Sequence, residues 1–83
     1  MSQISVTFVN DTGVAQNFAI YDTKASNPNN AIYTGLLQPN ASVTLTVETG
    51  DDLNGKIRWV SDGSGQNYVD VWDGDTVNMS VVG

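Results

Sequence analysis

Six consecutive residues, Ser42-Val43-Thr44-Leu45-Thr46-Val47, alternate polar and apolar without a break, and no segment of the chain carries the apolar spacing of a helix. Successive side chains of an extended strand point to opposite faces, so this alternation buries one face and wets the other. The same period places Ile4, Val6 and Phe8 against Ser5 and Thr7, and Val77, Met79 and Val81 against Thr76, Asn78 and Ser80. A chain patterned in this way folds as β-sheet whose apolar faces cover one another.

Turn chemistry divides the remainder. Asn10-Asp11-Thr12-Gly13 closes a first strand, because these residues tolerate turn conformations or bond their own backbone. Residues 14–21 form a second strand, with Phe18 and Ile20 on one face and Asn17, Ala19 and Tyr21 on the other. The longest loop follows over 22–30, where Pro28 cannot continue a ladder. A short strand over 31–37 carries a bulge at Gly35, and Gln38-Pro39-Asn40 ends it. After the strand of 42–47, Asn54-Gly55 is the pair best suited to a tight hairpin turn. Strands over 56–61, 66–72 and 76–82 complete the set, separated by Asp62-Gly63-Ser64-Gly65 and Asp73-Gly74-Asp75. Seven strands with turns between them predict an all-β chain, a single seven-stranded antiparallel β-sandwich of cupredoxin-like or immunoglobulin-like Greek-key type, in one domain spanning 1–83.

Charge narrows the partners. Nine acidic side chains against three basic ones give a net charge of −6, which repels phosphate backbones and argues against nucleic acid. No apolar run reaches the roughly 18 residues of a membrane helix, so no membrane insertion is expected. The chain is in strand pattern by Ile4, which leaves no room for an export signal; the compartment stays open between a cytosolic chain and an exported domain already trimmed. Asn10-Asp11-Thr12, Asn40-Ala41-Ser42 and Asn78-Met79-Ser80 match the glycosylation acceptor pattern.

Residues 13–21, Gly-Val-Ala-Gln-Asn-Phe-Ala-Ile-Tyr, followed by Ala31-Ile32-Tyr33-Thr34-Gly35 and the strand of 42–47, resemble the cupredoxins. In that family a strand of this kind supplies the first copper ligand, and two strands of similar sequence follow it. The resemblance implies a cupredoxin-like scaffold. The family's first histidine ligand falls at Gln16, and its closing Cys, His and Met loop has no counterpart, since of those residue types only Met79 occurs near the C-terminus. A blue copper site needs two imidazoles and a thiolate, and the chain has neither His nor Cys. No cofactor is expected.

The same absence closes most catalytic routes. There is no imidazole base and no thiolate nucleophile. Lys24 in a polar loop and Lys56 at a turn read as solvated cations, and adjacent Asp51 and Asp52 read as a solvated loop rather than an acid–base pair. A non-catalytic chain is expected, with function on its faces and edges.

Three constellations are candidates. If Val69 and Val71 face the core, then Tyr68, Asp70 and Trp72 share the opposite face, and a hairpin turn near Gly63 sets Lys56, Arg58 and Val60 beside them. Planar rings flanking a carboxylate suit a glycan, or anchor a protein. The plainer reading pairs Arg58 with Asp70 and lays it over Tyr68 or Trp72. Trp59, in phase with Ile57, belongs to the core. Asp62, Asp70, Asp73 and Asp75 are candidate oxygen ligands for calcium, although Asp is also what Asp-led turns require. Finally, 42–47 and 76–82 carry no charged side chain. Such strands are either covered or free to pair with another chain, building a homo-oligomer or filament.

Overall fold

The computed structural model describes residues 2–62 and 64–80. Seven strands run β1 Ser2–Val9, β2 Gln16–Asp22, β3 Ala31–Leu37, β4 Ser42–Thr49, β5 Gly55–Ser61, β6 Ser64–Val71 and β7 Thr76–Asn78. They form two sheets, ordered β4-β1-β7 and β3-β2-β5-β6. Every pairing is antiparallel except β1 with β7, which is parallel. The first sheet is therefore mixed, where alternation had predicted a wholly antiparallel fold. Side-chain period reports which residues are buried, and it is the same for both strand directions.

The apolar faces meet as the alternation requires. Ile4, Val6 and Phe8 of β1, Phe18 and Ile20 of β2, Val47 of β4, Ile57 and Trp59 of β5, Val71 of β6, and Val77 and Met79 at the C-terminal end form one buried cluster. Phe18 and Trp59 meet edge to face, with centroids 6.0 Å apart at 62°. Val43 and Leu45 remain half-buried because β4 lies at the margin of its sheet.

Several turns differ from the sequence reading. Asn54-Gly55 does not close a hairpin, because β4 and β5 belong to different sheets. The residue with positive φ is Leu53, at 60°. Gly55 opens β5, and a Cβ there would lie 2.8 Å from Val47 Cγ1 and 3.1 Å from Val71 Cγ2. The glycine is thus required by close approach of the two sheets rather than by turn conformation. The bulge in β3 falls at Ile32, because Ile20 faces Tyr33 while Tyr21 faces Ala31. Gly35 adopts a φ of +153° beneath the Tyr33 ring. The last strand ends at Asn78, short of the predicted 76–82; residues 79–80 form a turn. Residues 81–82, like Gly63, lie outside the described residues.

Two buried polar side chains tie the layers together. Asn10 is fully buried, and its amide donates to the carbonyls of Val14 and Leu37 at 2.8 Å each and of Gln38 at 3.3 Å. Its oxygen accepts the Thr12 hydroxyl at 2.6 Å and the Thr12 backbone N–H at 3.1 Å. This bonding removes Asn10 from any role as a glycan acceptor in the folded chain. Asp22, 2% exposed at the end of β2, accepts the backbone N–H of Glu48 from the other sheet at 2.8 Å and that of Lys24 at 3.1 Å.

Candidate functional site

The β5–β6 hairpin has the register that alternation predicts as far as Trp59 opposite Asn67, beyond which a register shift brings Ser61 opposite Ser64 and leaves Val60 without the predicted partner in the ladder. Lys56 faces Asp70, Arg58 faces Tyr68, and Ile57 faces Val69. Val71 is buried and Val69 half-buried, which turns Tyr68, Asp70 and Trp72 outward. Tyr68 is 58% and Trp72 51% exposed. Two large aromatic side chains thus flank a carboxylate along one margin of the molecule.

Arg58 does not join them. Its guanidinium lies 3.9 Å from the centroid of the Tyr21 ring and donates to Gln66 Oε1 at 3.1 Å. The cause is sheet order: β5 is central, and Tyr21 of β2 is the cross-strand neighbour of Arg58 on the side away from β6. Tyr21 is the more buried of the two flanking tyrosines, and cation–π attraction strengthens as the pair is desolvated. The predicted pairing with Asp70 and stacking on Tyr68 or Trp72 are replaced by this arrangement, so the outward face of β6 is acidic and aromatic.

Three of the four carboxylates proposed for calcium serve a backbone N–H. Asp62 Oδ2 accepts both the backbone and side-chain N–H groups of Asn17 at 3.0 Å. Asp73 Oδ1 accepts Ser5 N–H at 3.0 Å, and Asp75 Oδ2 accepts Trp72 N–H at 2.8 Å. Asp70 stands apart on the outer face of β6. Among the described residues no group of three or more His, Cys, Asp or Glu side chains is placed to hold a metal ion. Lys24 is half-buried rather than solvated, its Nζ donating to Asn54 O at 2.6 Å and Asn54 Oδ1 at 3.2 Å. Asp52 accepts Asn54 N–H at 3.1 Å. These bonds organise the 50–54 turn.

Beside Tyr68 and Asp70 runs a groove of about 280 Å³, the open mouth of the sandwich between edge strands β6 and β7. Trp59, Val69, Val71 and Val77 give it an apolar lining, with Asp70 and Asp75 among its polar residues. The aromatic–acid face was visible in one hairpin's alternation. The groove was not, because it exists only where β6 comes to lie beside β7, and no local sequence signal reports that placement.

The groove-side edge of β6 is also unpaired among the described residues. Lys56 O accepts Thr23 N–H, so the even residues of β5 bond towards β2 and the odd ones towards β6. Asn67, Val69 and Val71 of β6 are thereby engaged, and the peptide groups of Tyr68 and Asp70 point outward from the sheet, up to the register shift beyond Asn67. Beyond them Trp72 O accepts Asp75 N–H and Trp72 N–H donates to Asp75 Oδ2, which ends the free edge.

Gln16, the position of the first ligand in the cupredoxin resemblance, opens β2. Its Nε2 donates to Thr12 Oγ1 at 3.3 Å, while Oε1 is buried with no hydrogen-bond partner among the described residues. An amide oxygen in a chain lacking His and Cys does not make a blue copper site. Comparison with protein-family models, with curated proteins and with solved structures gave no match. Among the described residues no helix is long and apolar enough to cross a membrane.

Proposed function

We propose that the chain is a non-catalytic recognition module that takes an extended polypeptide segment along β6. The observation that carries this reading is the conjunction of a free strand edge with an apolar groove beside it. A free edge offers alternating N–H and C=O groups, which match a polypeptide main chain and not a sugar ring. A strand laid there directs alternate side chains inward, towards Trp59, Val69, Val71 and Val77. Tyr68 supplies rigid aromatic area at the groove, exposed Trp72 adds more just past the end of β6, and Asp70 with Asp75 favours basic residues at the outward positions. With the copper ligands missing, recognition is what the scaffold resembling a cupredoxin retains.

The test uses a defined probe, an acetylated and amidated Lys-Val-Lys-Val-Lys-Val hexapeptide, with its block isomer Lys-Lys-Lys-Val-Val-Val as control. The alternating peptide is expected to shift tryptophan emission and the amide resonances of Tyr68 and Asp70 at concentrations up to about 1 mM. The block isomer is expected to do neither, and Asp70→Lys to weaken binding roughly fivefold. Perturbation of Trp72 by soluble oligosaccharides alone would replace the peptide by a glycan on the same face. Silence from both ligands would remove the recognition reading.

A further inference from the structure

A second edge differs from β6 in chemistry. Thr7 N–H donates to Asp75 O, and Val9 O accepts Met79 N–H, so the odd residues of β1 bond towards β7 and the even ones towards β4. Ile4, Val6 and Phe8 face Val47, Leu45 and Val43. The odd residues of β4 are therefore engaged, and the peptide groups of Ser42, Thr44 and Thr46 point outward with no bond to another described part of the chain. Glu48 N–H, next in that series, is taken by Asp22.

We infer that this edge is the contact surface for a second copy of the chain, joined β4 to β4 antiparallel about a two-fold axis at Thr44. In that register Thr44 exchanges N–H to C=O bonds with the second copy's Thr44. Ser42 exchanges them with the second copy's Thr46, and the reverse. Position 48 then falls opposite position 40, so Glu48 meets Asn40 and not another carboxylate. Asn40 has a φ of 65° and Glu48 N–H is already bonded to Asp22, so the ladder stops where the free edge stops. Val43 and Leu45, half-buried in one copy, face each other across the seam.

The outer face gives a second argument. Thr7 lies beside Thr44 on one side and Thr76 on the other, with the hydroxyls of Thr7 and Thr44 3.0 Å apart. The two-fold extends this into one threonine row across both sheets, and directly opposed Thr pairs stabilise antiparallel contacts. The remaining edges are poorer candidates: β3 carries the Ile32 bulge and the positive φ of Gly35, β6 carries Asp70, and β7 has three residues. Bulges and charges blunt an edge against pairing. An isologous contact of this kind closes on itself and yields a dimer rather than a fibre.

Sedimentation velocity from about 10 µM to about 1 mM is expected to show the 8.9 kDa chain passing to twice that mass. Added salt should favour the dimer by screening the net charge of −6 on each copy. Thr44 is exposed, so Thr44→Lys and Thr44→Asp leave the core untouched. Each is expected to be monomeric alone, since like charges meet on the axis, whereas an equimolar mixture of the two restores the dimer. A wild-type chain that stays monomeric throughout overturns the inference. So does a dimer that both substitutions leave at its original strength, or a mixture no more associated than its components. None of these readouts depends on a ligand at β6, so the two proposals fail separately.

Discussion

Asn10 shows how much of this fold hangs on one side chain. Its amide fills the space between three carbonyls from the 10–14 turn and the end of β3, and its own backbone pairs with Asn40 and Ala41. Asn10→Ala strands those buried carbonyls and the Thr12 hydroxyl, and is expected to lower unfolding stability by about 3 kcal/mol in urea titrations. Asn10→Asp keeps the shape and the two bonds from Thr12 but turns a carboxylate towards three carbonyl oxygens, so it should cost at least as much. If Asn10→Asp instead matches wild type, the donor role assigned to the amide is wrong. Gln16 is the converse case. Its buried Oε1 has no partner among the described residues, so Gln16→Met exchanges an unsatisfied acceptor for a flexible apolar group. Thermal denaturation should find that variant within about 1 kcal/mol of wild type or more stable.

At the scale of elements, the approach of the sheets at Gly55 sets the tightest tolerance. A methyl there would sit against Val47 Cγ1 and Val71 Cγ2, and Gly55→Ala is expected to destabilise by about 2 kcal/mol through overpacking. Val47→Ala vacates part of that space. The double variant should therefore lose less than the two single losses combined, and simple additivity in a double-mutant cycle would show that the backbone, not Val47, takes up the strain. This is also where sequence reading reaches its limit. The strands of Ile4, Phe18 and Val47 were legible because alternation is local and each apolar residue reports its own burial. Tyr68, Asp70 and Trp72 were legible as one face for the same reason, and Arg58 and Lys56 were correctly set across from them. What Arg58 touches was not legible, since it depends on Tyr21 being delivered by a strand from far along the chain. Asn54-Gly55 misled because a pair that suits a hairpin also suits a crossing between sheets. Asn10 was read as a turn residue, and only the convergence of β1, the 10–14 turn and the end of β3 gives it a buried role.

For the whole molecule, two global properties oppose each other. The core is one continuous cluster drawn from both sheets, while the surface carries −6 and repels itself. Raising sodium chloride from about 20 mM to about 0.3 M shortens the screening length severalfold and should raise the melting temperature by a few degrees. A melting temperature that falls with salt would mean that the attractive contacts of Lys24, Lys56 and Arg58 outweigh the repulsion among the carboxylates.

The parallel pairing of β1 with β7 has a mechanical consequence. Strands joined in parallel and pulled from opposite ends, Ser2 against Ser80, slide along one another, so the bonds of Thr7 to Asp75 and Val9 to Met79 are loaded together instead of parting one after another. Tension along this axis meets a shear clamp, reinforced by the Gly74 N–H on Ser5 O and the Asp73 carboxylate on Ser5 N–H. An antiparallel pair pulled from the same end would open like a zip. The strand direction that alternation could not report thus decides how the fold bears force.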